Sequence, residues 1–161
     1  MVTALLLAAC GGGSTSGSTT STSRTTGAIA VIDPCALLTR TVVSAAVGSA
    51  TPTLTRTGPT CSYAAGANGV AVTVLPATVV NRRALAASLA HLPAHALPAS
   101  GPGYRGYVVP IAGAPGGLTS QAQAVFIRGD RFVQTTVTGA AGSGSLLQRA
   151  TALSRAAAGR T

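Results

Sequence analysis

Three cysteines constrain the fold of this 161-residue chain more than any other feature. Cys10 closes a short apolar run that begins at Val2, whereas Cys35 and Cys61 lie within the stretch that carries helix and strand patterns. An odd number in an exported protein leaves one thiol over. A bond between Cys35 and Cys61 would close a loop of about 26 residues and stabilise a fold by roughly 3 kcal/mol in the chain-entropy model. That contribution matters here, because the chain is rich in Ala, Gly, Thr and Val, with 3% aromatic residues and no Trp. Its core has to be built from small aliphatic side chains. A zinc site and a nucleophilic cysteine are the alternatives for this pair. Zinc would want further Cys or His at short spacing, and His91 and His95 lie far along the chain.

Leu7-Ala8-Ala9-Cys10 places a Leu three residues before the Cys, with two small side chains between them. The pattern resembles the lipobox of bacterial lipoproteins, and small residues are what a signal peptidase pocket accepts. The resemblance implies that residues 1–9 are a signal peptide and that Cys10 carries a diacylglycerol group and becomes the first residue after cleavage. Two acyl chains anchor stably where one binds only marginally, so the expected location is the extracytoplasmic face of the cell membrane. No later stretch is long and apolar enough to span it. A secretory signal opens with a positively charged region. None precedes Val2, so the true start is expected upstream. With Cys10 taken by lipid, Cys35 and Cys61 remain as an even pair in an oxidising compartment, where a disulfide is the expected state.

Residues 10–27 follow as the lipidated Cys and a tract of Gly, Ser and Thr with Arg24 as its only charge. Such a composition cannot bury enough apolar surface to offset its ordering entropy, and it reads as a flexible tether. The remainder, residues 28–161, has the length of one domain.

Eleven arginines oppose only Asp33 and Asp130, which gives a formal net charge of +9. A solvated surface with arginine as its main charge accounts for this, and so does attraction to anionic lipid or to phosphate-bearing wall polymer. Nucleic acid is excluded as a partner by export and by the lack of aromatics interleaved with the basic groups.

Asp33-Pro34 reads as a helix start, since Asp caps and Pro suits the first helical position. Leu37, Leu38, Val42, Ala45 and Ala46 recur at helical spacing, and Gly48 fits the residue that closes the helix. Thr51 to Pro59 reads as a turn-rich connection. Cys61 to Tyr63 and the alternating Val70, Val72 and Val74 form a hairpin about the 66–69 turn. From Thr78 a second helix carries Val80, Ala84, Leu85, Ser88, Leu89 and Leu92 on one face and Arg82 and Arg83 on its polar shoulder, ending at Pro93.

His95 to Pro102 reads as a loop that leads to a strand over Tyr104 to Val109. Ala122, Ala124 and Phe126, with Val133, Thr135 and Val137, form the inner face of a second hairpin turning at Gly129-Asp130. Leu146, Ala150, Leu153 and Ala157 mark the apolar stripe of a closing helix. The expected architecture is α+β: an antiparallel sheet of about five strands with helices packed on one face, in the order α-β-β-α-β-β-β-α.

The segments Asp33-Pro34-Cys35-Ala36-Leu37-Leu38 and Cys61-Ser62-Tyr63, placed after a lipobox and a Ser/Thr/Gly tether, resemble actinobacterial, especially mycobacterial-type, lipoproteins of unknown function. The resemblance covers residue 5 to about residue 76. It implies a membrane-anchored extracytoplasmic domain with a Cys35 to Cys61 disulfide, and it supplies no catalytic residues.

General acid/base chemistry needs carboxylates or histidines held together, and the two acids read as a cap and a turn residue. No Gly-x-Ser-x-Gly elbow or phosphate-cradling loop is present, so no enzyme, catalytic residue or cofactor is expected. His91 and His95 stand at i, i+4 spacing, but Pro93 between them breaks the helix that would align them, and no metal site is expected. Arg128-Gly129-Asp130 spells an integrin-type tripeptide, for which ordinary turn chemistry is sufficient. Tyr104, Arg105 and Tyr107, with Arg82 and Arg83, form the candidate interaction surface, because such residues are favoured at interface hot spots. Two function classes follow: a non-catalytic binding module of the cell envelope, held to the membrane through lipid on Cys10 and engaging anionic lipid, wall polymer or another envelope protein, and a small-molecule or lipid carrier with an apolar pocket between sheet and helices.

Overall fold

The computed structural model of the chain describes residues 32–111, 120–140 and 143–161. Cys10, the signal segment, the tether and most of the 111–119 connection lie outside these residues. Within them, seven strands form one antiparallel sheet: β1 (Thr53–Thr57), β2 (Thr60–Ala65), β3 (Asn68–Pro76), β4 (Leu97–Pro98), β5 (Tyr104–Ile111), β6 (Ser120–Arg128) and β7 (Arg131–Gly139). Their spatial order is β1-β2-β3-β7-β6-β5-β4. Three α-helices accompany them: α1 (Arg40–Val47), α2 (Val79–Ala90) and α3 (Ser143–Ala158). The class is α+β as expected, with two strands more than the sequence pattern indicates, giving α-β-β-β-α-β-β-β-β-α.

Both additional strands are edges. β1, Thr-Leu-Thr-Arg-Thr, is exposed at all five positions, so it lacks the apolar alternation that marks a half-buried strand. Its β-branched threonines nevertheless suit extended backbone. It is joined to β2 by Gly58-Pro59, where Gly58 takes φ 54° and opens a two-residue hairpin turn. β4 is two residues long and covers only Tyr107 and Val108 of β5. Beyond that point β5 is an edge strand, which is where a proline, Pro110, is tolerated in the ladder.

The first helix is divided. Asp33 accepts a hydrogen bond from the Cys35 backbone N–H at 2.9 Å and caps a single 3₁₀ turn, Pro34–Ala36. α1 then starts afresh with Thr39 as its cap and closes at Gly48, whose φ is 72°. The break lets the adjacent residues Leu37 and Leu38 both enter the core. On one straight helix they would diverge by about 100°.

The inner face of the sheet is covered by the 3₁₀ turn, α1 and α3. Val70 and Val72 of β3 are buried there against α1 and the 3₁₀ turn, and Ala122, Ala124 and Phe126 of β6 with Val133 and Val137 of β7 against Leu146, Ala150, Leu153 and Ala157 of α3. Gly106 of β5 faces Phe126 across the ladder, and a Cβ at Gly106 would stand 2.5 Å from the Phe126 Cβ. The absence of a side chain there lets the β5 backbone lie close against β6 at Val125 and Phe126. Thr135, on the same face, is fully buried, and its hydroxyl has no hydrogen-bond partner.

The expectation that all helices share one face is corrected by α2. It packs on the opposite face, where Leu85 meets Val125 and Ile127, the residues of β6 that alternate with Ala124 and Phe126. Only Leu85 of this helix is buried, and Val80, expected on the apolar stripe, is 72% exposed. The helix spans one end of the sheet and touches it along a narrow line.

Two substitutions test this packing. Thr135→Val, which removes the unpaired buried hydroxyl at constant shape, is expected to stabilise the fold by about 1 kcal/mol in urea denaturation. Gly106→Ala, which forces the β5–β6 ladder apart at Phe126, is expected to destabilise it by about 3 kcal/mol in the same measurement.

Candidate functional site

Three of the sequence features converge on one corner. Cys35 and Cys61 form a disulfide with their Cα atoms 5.2 Å apart, which ties the 3₁₀ turn to β2. Tyr63, two residues further along β2 and thus on the same face, donates a hydrogen bond from its hydroxyl to the Cys35 carbonyl at 3.2 Å. Asp33, beside them, pairs with Arg56 of β1 at 3.4 Å. Burial, and secondarily the Asp33 carboxylate, raise the Tyr63 phenol above its ordinary pKa of 10.0. Every group here is occupied with holding the chain in place, and the corner has the chemistry of a clasp rather than of a reactive site.

The β5–β6–β7 side of the sheet offers a different arrangement. β5 begins, β6 ends and β7 begins at one end of the sheet, where Arg128 pairs with Arg131 across the Gly129-Asp130 turn and with Tyr104 of β5. Gly129 takes φ 56°, as a turn of this kind requires at its first central position. Asp130 is an exposed turn residue whose carbonyl accepts the Ala77 N–H at 2.7 Å. The start of α2 is brought to the same place, because Arg82 donates to the Gly129 carbonyl at 2.6 Å.

Two depressions open there. The larger, about 910 Å³, lies between α2 and the sheet and is lined by Arg82, Leu85, Leu89, Arg105 and Ile127 among others. The smaller, about 460 Å³, lies between the loop around Pro102 and the last turn of α3, with Arg128 and Arg155 on its walls. Gly101 and Tyr104 belong to both and form the partition between them. A Cβ at Gly101 would run into the Tyr104 ring, so glycine is what allows the partition to close.

The residues singled out in the sequence are placed unequally. Arg105 is exposed and lines the larger depression with Arg82. Tyr107 is half-buried against the Leu85, Val125 and Ile127 cluster, and Arg83 is exposed on α2 outside the depressions. Tyr104 is 8% exposed, with its ring edge-on to Phe126 at 5.4 Å, and serves as packing and partition instead of open surface. Arg128 and Arg155 were not singled out. Their proximity depends on the return of α3 across the sheet, which no local pattern encodes. His91 ends α2 and His95 lies in the following turn. Among the described residues no three of His, Cys, Asp and Glu come together as a metal-binding group, and no helix is long and apolar enough to cross a membrane.

No family model and no curated protein matches the sequence. Among solved structures, a Thermotoga maritima protein described as a GTP binding regulator aligns at a TM-score of 0.36 and 8% identity, over 72% of this chain and 87% of that one.

The Tyr63 clasp gives a test by pH. Since the folded protein keeps the phenolic proton above the pH at which an unfolded tyrosine loses it, this group leaves stability unaffected below pH 10.0 and lowers it as pH rises through the elevated value. Absorbance titration is expected to show a tyrosine component that ionises above the ordinary range. Tyr63→Phe is expected to remove that component, at a cost of about 1 kcal/mol at neutral pH for the lost hydrogen bond.

Proposed function

We propose that this protein is a lipid-anchored, extracytoplasmic binding module of the cell envelope, non-catalytic, with its interaction surface at the end of the sheet where the two depressions open. One observation supports the reading above others: Arg82, Arg105, Arg128 and Arg155 line adjoining depressions at a single end of the fold. Arginines so grouped present a surface complementary to acidic groups, whose attraction is strongest where side chains stand beside low-dielectric walls. The lipobox-like Leu7-Ala8-Ala9-Cys10, the tether and the disulfide support an exported, anchored location. Kinship with the actinobacterial lipoproteins of unknown function belongs to the same reading and rests on the Asp33-Pro34-Cys35 and Cys61-x-Tyr63 segments.

A second reading, a carrier of a small molecule or lipid, is favoured by the larger depression itself. Its volume falls in the range typical of ligand sites, and Leu85, Leu89 and Ile127 give it an apolar wall beneath Arg82 and Arg105. That arrangement fits an amphiphile with an acidic head.

Mass spectrometry of the protein from envelope fractions tests both. A mature chain beginning at a diacylglyceryl-modified Cys10 is expected, and an unmodified Cys10 with residues 1–9 attached refutes the anchor. A lipid that co-purifies stoichiometrically after native extraction, and is lost in Leu85→Gln, establishes the carrier reading in place of the binding module.

A further inference from the structure

The arginines that look dispersed in the sequence are gathered by the fold. Arg128 and Arg131 flank the β6–β7 turn, and Arg105 follows Tyr104, the residue paired with Arg128. Arg82 reaches the Gly129 carbonyl, and Arg155 shares the smaller depression with Arg128. Arg160 follows Gly159 of that same depression. Six of the eleven arginines thus collect at one end of the sheet, with Asp130 in the β6–β7 turn among them. The bonds made by Arg82 and Arg160 go to backbone carbonyls, which leave the positive charge uncompensated.

The same end receives the N-terminal chain. Arg160 donates to the Ala36 carbonyl at 3.4 Å, so the 3₁₀ turn that follows Ile32 abuts the C-terminal turn of α3. The described domain therefore continues toward its N-terminus from beside its arginine-bearing end.

We infer that this end of the domain docks on the membrane surface, with anionic phospholipid headgroups as its partner and Arg105, Arg128 and Arg155 as the principal contacts. The inference rests on the anchored, extracytoplasmic reading above and names the partner of its interaction surface. Headgroup phosphates suit the site because arginine binds phosphate through paired N–H donors, and the two depressions on either side of Tyr104 give those phosphates recesses to enter. Attraction of this kind rises with each basic side chain near the surface and is weakened by salt.

The test uses the full chain carrying Cys10→Ser, so that no lipid is attached, sedimented with phosphatidylcholine vesicles containing or lacking phosphatidylglycerol. Two variants of equal net charge are compared: Arg105→Gln/Arg128→Gln/Arg155→Gln, and Arg40→Gln/Arg56→Gln/Arg149→Gln on the β1–β3 half and the mid-helix of α3. Circular dichroism confirms that each is folded. The expected result is binding to phosphatidylglycerol vesicles that weakens about tenfold or more in the first variant, changes little in the second and disappears in high salt. Equal weakening in both variants, or none in the first, overturns the inference. So does binding to soluble poly(glycerol phosphate) without binding to vesicles, which assigns the surface to a wall polymer. Modification of Cys10 is measured separately in cells, so a failed anchor and a failed docking surface give different results.

Discussion

Close approach between α3 and the sheet sets the terms for the rest of this fold. Ala150 and Ala157 on the helix meet a sheet face on which Ala122 and Ala124 are fully buried. Small side chains bring the layers near each other and bury little apolar area per residue, so each makes a modest contribution of transfer free energy. Two consequences are visible. The close approach of β5 to β6 at Phe126 requires a glycine opposite it, at Gly106. The first turn of the domain, too short to secure itself by packing, is fixed by a covalent bond and by Tyr63 instead. The disulfide stands in for hydrophobic area that the composition does not supply.

Much of this organisation is legible in the sequence because it is written in local periodicity. The alternation at Ala122, Ala124 and Phe126 and at Val133, Thr135 and Val137 defines the inner face of the central hairpin, and the Leu146, Ala150, Leu153 and Ala157 stripe defines the helix that covers it. What escapes is what lacks a buried face. β1 has no core side, and β4 is shorter than any pattern. For α2, the Val80 stripe indicates a helix correctly and its burial wrongly, because a helix placed across one end of a sheet meets it along a line and leaves most of its apolar residues in solvent. The grouping of arginines is invisible for a different reason: Arg82, Arg105, Arg128 and Arg155 come from four separate elements, and only the tertiary arrangement makes them neighbours.

The charge distribution and the fold also bear on each other. Like charges brought together at one end cost stability through self-repulsion. Here that cost falls on turns, helix ends and the rim of the depressions, away from the core. The ion pair of Arg56 with Asp33, beside the disulfide, is exposed and of small energetic weight. The ligand or surface of opposite sign proposed above would offset that cost.

The clasp at Cys35 also decides how the molecule bears force. A pull on the N-terminal chain, whatever its source, reaches Cys35 three residues after Ile32 and passes through the disulfide into the start of β2, the central strand of the β1-β2-β3 ladder. The load enters the sheet ahead of α1, whose last carbonyls are held separately by Asn68 and Arg149. It is spread across hydrogen bonds on both sides of β2. The domain is thus gripped by its sheet, and α1 can remain seated while the chain ahead of it is under tension.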